Sequence, residues 1–143
     1  MNTKLDAKQW ALAAAAVFVV LSILAFLTMR IESSMFQDLS LKPETTQDVM
    51  MLRIWNYLGR AVWSLVFVFV YTRGIGGKSA FIEGLRFGVW MGLLGAVPGF
   101  FGNLVTSGWP VGFLAFNALM GFISTLVGGI TAGAIYKQKN PQS

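Results

Sequence analysis

The sequence predicts an all-α fold, an integral membrane four-helix bundle whose long second helix projects to the outer side. Three observations carry that prediction. Of the 143 residues, 55% are apolar and only 12% charged, whereas soluble domains carry about 25% charge. The mean hydropathy is +0.64. Four stretches, at about 10–29, 51–71, 80–102 and 110–136, are each long enough to cross a bilayer, which takes about 20 residues per helix. Their connections leave no room for a soluble domain, so residues 1–143 read as a single transmembrane domain.

Trp10 to Met29 follows Lys4 and Lys8 without a charge in it, too long for a signal-peptide core and with no A-x-A site after it, so it reads as a retained first span. Residues 30–50 are polar and form the one substantial connection. Pro43 followed by Glu44 is a helix-start signal, because proline suits the first turn and an acid its positive dipole end. Ala61 to Tyr71 is too short to cross alone, and a helix from Pro43 to Tyr71, about 43 Å long, would span and still project. Gly74, Gly76 and Gly77 stop it, Ser79 is placed to cap the third helix, Pro98 to kink it, and Pro110 to open the fourth. Short connections predict antiparallel neighbours from the second helix onward.

Lys4, Lys8, Arg73, Lys78, Lys137 and Lys139 would share one side, and the turn between the third and fourth helices has no cation. The positive-inside rule makes that side cytoplasmic, with both termini on it, in a multi-pass protein of a prokaryotic inner membrane. Trp55 and Trp109 fit the outer interfacial belt, and Trp10, Tyr71 and Tyr136 the inner one. The first loop holds Arg30 and Lys42 outside, but also four acids, Glu32, Asp38, Glu44 and Asp48.

Neither Cys nor His occurs, which removes disulfides, Cys/His zinc sites, His-ligated haem, Ser-His triads and cysteine nucleophiles. No metal, cofactor or enzymatic activity is expected. The net charge of +5 is spread over helix ends with no basic run to grip phosphates, so nucleic acid is not expected as a partner. Gly76-Gly77-Lys78-Ser79 looks like the tail of a P-loop, but its leading glycine position is Thr72 and no strand precedes it. Glu83 and Arg86, one turn apart, read as an interfacial ion pair at the cytoplasmic end.

Small residues mark the packing faces: Gly84, Gly88, Gly92, Gly95 and Gly99 on the third helix, and Gly121, Gly128, Gly129 and Gly133 on the fourth. In lipid, close backbone approach replaces the hydrophobic drive between helices, either within one bundle or onto another subunit. Arg53, Asn56, Tyr57, Arg60 and Ser64 recur at helical spacing along the outer half of the second helix. With Asn103, Asn117 and Ser124 they would line an outward polar cleft, or else satisfy one another as bundle glue. With no acid expected at that depth, Arg60 would take the side-chain oxygen of Asn117 and leave its charge for an anion, a lipid headgroup or an acidic partner residue.

Tyr71-x-Arg73-Gly74, Glu83-Gly84-Leu85-Arg86-Phe87-Gly88 and Ala132-Gly133-Ala134-Ile135-Tyr136-Lys137 resemble a family of small, uncharacterised prokaryotic four-helix membrane proteins, over residues 58–137. The resemblance implies the four-span fold and supplies no activity. The expected function is a non-catalytic small membrane protein in the lipid bilayer, packing with itself or with other membrane subunits as an oligomer or accessory subunit. The alternative is a small-solute or anion transporter or channel, or a lipid-headgroup binder, using the cleft around Arg60.

Overall fold

The computed structural model describes residues 6–36, 49–74 and 79–136. Four helices follow in order: α1 (Ala7–Met35), α2 (Val49–Arg73), α3 (Ala80–Thr106) and α4 (Val111–Ile135). Each contains a stretch long and apolar enough to cross a membrane.

Asp6 starts α1, its carboxylate accepting the Lys8 and Gln9 backbone N–H groups at 3.2 and 3.3 Å, which satisfies two donors that a helix start leaves unpaired. The helix does not stop at Met29 but runs on through Arg30 and Glu32 to Met35. Charge marks where apolar composition ends, and backbone hydrogen bonding continues past it. The proposed start at Pro43 lies outside the described residues, as do Gly76, Gly77 and Lys78. Ser79 takes the cap position of α3, but its side chain makes no capping bond. α3 continues through Pro98 and past Gly102 to Thr106. Gly108 turns the chain with φ +67°, a conformation that suits glycine. The Pro110 carbonyl then accepts the Leu114 N–H at 3.1 Å.

One end of the bundle holds the start of α1, the end of α2, the start of α3 and the end of α4; it is called the terminal end below. There Ala13, Ala14 and Val17 of α1 pack with Phe67, Val68 and Tyr71 of α2, and with Ala132 and Tyr136. At the opposite end, the turn end, Phe36 meets the rings of Phe113 and Phe116 at 5.3 and 5.8 Å. Successive helices therefore run antiparallel, but they do not all lie side by side. The most extensive pairing is α3 with α4, followed by α1 with α4 and α1 with α2. The order in space is α2, α1, α4, α3, not the chain order expected from the second helix onward. A short connection fixes antiparallel direction and leaves the helices free to part beyond it. α2 and α3 meet near the terminal end, where Phe87 lies 4.8 Å from the Phe67 ring and 5.3 Å from Tyr71.

Two residues assigned to an interfacial belt belong to the core instead: Tyr71 is 2% exposed and Tyr136 8%. Trp10 packs against the same cluster, and its buried indole nitrogen has no hydrogen-bond partner among the described residues. Trp55 stands exposed on α2.

Candidate functional site

The site follows from how α3 and α4 meet. A Cβ on Gly84 would collide with the Gly129 carbonyl oxygen, and one on Gly88 would lie 2.7 Å from the Leu126 Cα. On the facing helix, a Cβ on Gly129 would lie 2.8 Å from the Gly88 Cα, and one on Gly133 would collide with the Ala80 carbonyl oxygen. Side chains larger than hydrogen are excluded by backbone, so these four glycines form a seam that draws the helices together toward the terminal end. Gly92 is the last tight position, where a Cβ would lie 2.6 Å from the Thr125 hydroxyl and 2.7 Å from the Phe122 ring. Gly128 turns the other way and meets Leu21 and Phe67 at ordinary contact distance.

Beyond Gly92 the seam opens. Gly95, Gly99 and Gly121, expected to pack helices, have nothing within 4 Å of an added Cβ. They line a cavity of about 270 Å³ between α3 and α4, together with Met91, Gly92, Ala96, Phe100, Asn103, Leu114, Asn117, Ala118 and Thr125, and with Trp63 reaching over from α2. A run of small side chains has become a groove because the helices separate before the run ends.

Its polar groups are few and specifically placed. Asn103 donates through Nδ2 to the Gly99 carbonyl at 2.8 Å. Asn117 donates through Nδ2 to Glu32 Oε1 at 3.1 Å and to the Phe113 carbonyl at 3.2 Å. The Thr125 hydroxyl donates back to the Phe122 carbonyl at 2.8 Å. Among the described residues nothing donates to the amide oxygens of Asn103 or Asn117, which remain available as acceptors.

Of the expected polar cleft, only Asn103 and Asn117 line this cavity; Arg53, Asn56, Arg60, Ser64 and Ser124 do not. Arg60 donates to Asn56 Oδ1 at 2.8 Å and lies 5.6 Å from the centre of the Tyr57 ring, so its partners come from its own helix and not from Asn117. Ser64 is 1% exposed, and its hydroxyl turns back to the Arg60 carbonyl at 2.8 Å. Ser124 does the same toward Met120 at 2.8 Å. Arg53 and Asn56 are exposed. Glu83, expected to pair with Arg86, is 7% exposed, and Arg86 one turn on is exposed.

No family model, curated protein or solved structure matches the chain. The resemblance to small four-helix membrane proteins thus rests on its own motifs.

Two residues of the site escaped the sequence reading. Glu32 did so because the first span was ended at Met29, one turn too early for an acid to reach Asn117. Trp63 did so because it lies three positions after Arg60 and was taken as one more apolar residue of the span. The site offers apolar surface, amide oxygens, a hydroxyl and one carboxylate at its edge, which are groups for packing and hydrogen bonding.

Proposed function

We propose that this is a non-catalytic, multi-pass membrane protein that works by docking another membrane helix against its turn-end half, as an oligomer or as an accessory subunit. The bilayer would be a prokaryotic inner membrane, with both termini cytoplasmic. The observation that carries this reading is the contrast between the two ends. Toward the terminal end the glycine seam is closed backbone to backbone, and toward the turn end Gly95, Gly99 and Gly121 face open space. Small residues that let backbones approach are the usual means of helix association in lipid, where apolar burial gives no advantage. A groove of such residues with two amide oxygens suits a helix carrying a polar side chain or two. A sealed terminal half supports docking over conduction.

Mass measurement of the intact chain after mild extraction tests it. A stoichiometric polypeptide, either a second copy or another protein, is the expected result. A lone chain carrying only lipid would count against helix docking.

A further inference from the structure

We propose that the docked helix belongs to a second copy of this chain: the turn-end half of α2, with Arg53 and Arg60, enters the α3–α4 cleft of its partner and meets the partner's Glu32. This rests on the helix-docking reading and names its partner. The first observation is that α2 is uncovered there. Every described side chain from Met50 to Gly59 is exposed, Trp55, Ile54 and Leu58 among them. Lipid would satisfy the apolar ones and would not satisfy the cations. Arg60 lies about 10 Å along the helix from Arg53, at a depth where a lipid-facing arginine is strongly disfavoured. Its guanidinium carries five N–H donors, one of which goes to Asn56. Among the described residues neither Arg53 nor Arg60 pairs with an acid.

The cleft is the complement of that helix. Its walls include four glycines and two alanines beside Phe100 and Leu114, while α2 carries Trp, Ile and Leu. At its edge, the Glu32 carboxylate receives only an amide hydrogen bond, from Asn117, among the described residues. Glu32 and Asn117 supply acceptors where α2 supplies donors, and an arginine–carboxylate pair is the charged contact best fitted to this geometry.

Depth agrees as well. Trp63 lines the cleft, as does Asn117, and Asn117 holds Glu32. Leu21 and Phe67 both meet Gly128; from that level Arg60 lies about 10 Å toward the turn end and Glu32 about 16 Å, a difference of about 6 Å that an extended arginine side chain spans. Copies inserted in the same direction keep their levels, so the guanidinium of Arg60 of one chain can reach up to the partner's Glu32 along its own side chain. Because Trp63 places α2 at the rim of its own cleft, a two-fold axis along the membrane normal would make both contacts at once and close the assembly as a dimer.

The test uses the full chain in bilayers, with dimerisation followed by energy transfer between labelled copies in phosphatidylcholine and again with added phosphatidylglycerol. Wild type should dimerise in both. Arg60→Glu and Glu32→Lys should each weaken the dimer by about tenfold or more, and combining them should restore it. Gly99→Leu fills the groove from a position with nothing within 4 Å, so it should weaken the dimer while the monomer melts unchanged. The chain has no cysteine of its own, so copies carrying Asn56→Cys and Gly99→Cys should form a disulfide with each other. A monomer at every protein density, or a dimer insensitive to these changes and without that disulfide, overturns the inference. If the monomer instead holds a different polypeptide in stoichiometric amount, helix docking stands and the second copy does not; if it holds neither, both fail. Arg60→Glu altering only the affinity for phosphatidylglycerol vesicles would assign the cation to a headgroup and also overturn it.

Discussion

Gly88 and Gly99 stand on the same helix and face opposite fates. A Cβ at Gly88 would lie 2.7 Å from the Leu126 Cα, and one at Gly99 would meet nothing within 4 Å. Backbone cannot rotate away as a flexible side chain can, so Gly88→Ala and Gly129→Ala should each lower stability by about 2 kcal/mol or more, the range of an overpacked core. Gly99→Ala should leave stability unchanged or raise it by up to about 1 kcal/mol, the helix preference of alanine over glycine. Thermal unfolding of the three variants in one detergent decides it; equal melting temperatures would remove the seam as the source of close packing. Ser64 invites a similar contrast. Its hydroxyl bonds back to the Arg60 carbonyl of its own helix, an arrangement that adds little to stability, so Ser64→Ala should change stability by less than about 1 kcal/mol. Ser64→Leu must force volume into a site 1% exposed, and should cost about 1–3 kcal/mol. A large loss on Ser64→Ala would mean that the hydroxyl serves a group outside its own helix.

At the scale of the element, the last turn of α1 decides the shape of the site. Glu32 holds Asn117, and Phe36 packs edge-on to Phe113 with centres 5.3 Å apart. These contacts tie the end of α1 to the start of α4. Glu32→Ala combined with Phe36→Ala should therefore widen the spread of distances between spin labels on the turn-end halves of α1 and α4, while labels at the terminal end keep theirs. Equal spreads at both ends would mean that α1 is held elsewhere. The four helices were legible because length and hydropathy report spans directly, and the tight part of the seam because Gly84, Gly88, Gly129 and Gly133 sit at helical spacing. The order of the helices was not legible. Short loops set direction, while the choice of neighbour depends on which surfaces fit, and α3 fits α4 through a run of glycines, whereas α2 has Gly59 alone, with nothing within 4 Å of an added Cβ. Tyr71 and Tyr136 were misplaced for a related reason: an aromatic ring near a helix end has the same composition in an interfacial belt as in a core. Arg60 was read as facing Asn117 because spacing gives a side chain's face and not its reach. Asn56, four residues earlier, was the nearer acceptor.

Across the whole molecule, the two ends differ in charge as they do in packing. Among the described residues Lys8, Arg73 and Arg86 lie at the terminal end, with Lys4, Lys78, Lys137 and Lys139 adjoining it in sequence; at the turn end Arg30, Arg53 and Arg60 belong to α1 and α2, and residues 106–112, around the α3–α4 turn, contain no charge. Cations near span ends are held back during insertion, so the terminal end should stay cytoplasmic and Gly108 should emerge outside. A chain without cysteine lets single positions report this cleanly. With a membrane-impermeant maleimide, Gly108→Cys should label in intact cells and Gly74→Cys only after the membrane is opened. The reverse pattern would invert the assignment of the outer side and place the α3–α4 cleft toward the cytoplasm. If charge sets the orientation, it should also be movable. Ser107→Lys with Gly112→Lys puts two cations beside the turn, Gly112 having nothing within 4 Å of an added Cβ and half-buried Ser107 giving up its hydroxyl's bonds to the Asn103 carbonyl and the Trp109 N–H, against an unchanged majority at the other end. A fraction of Gly108→Cys should then become protected. Full labelling despite the added lysines would show that the first span, following Lys4 and Lys8, fixes the direction of every later one.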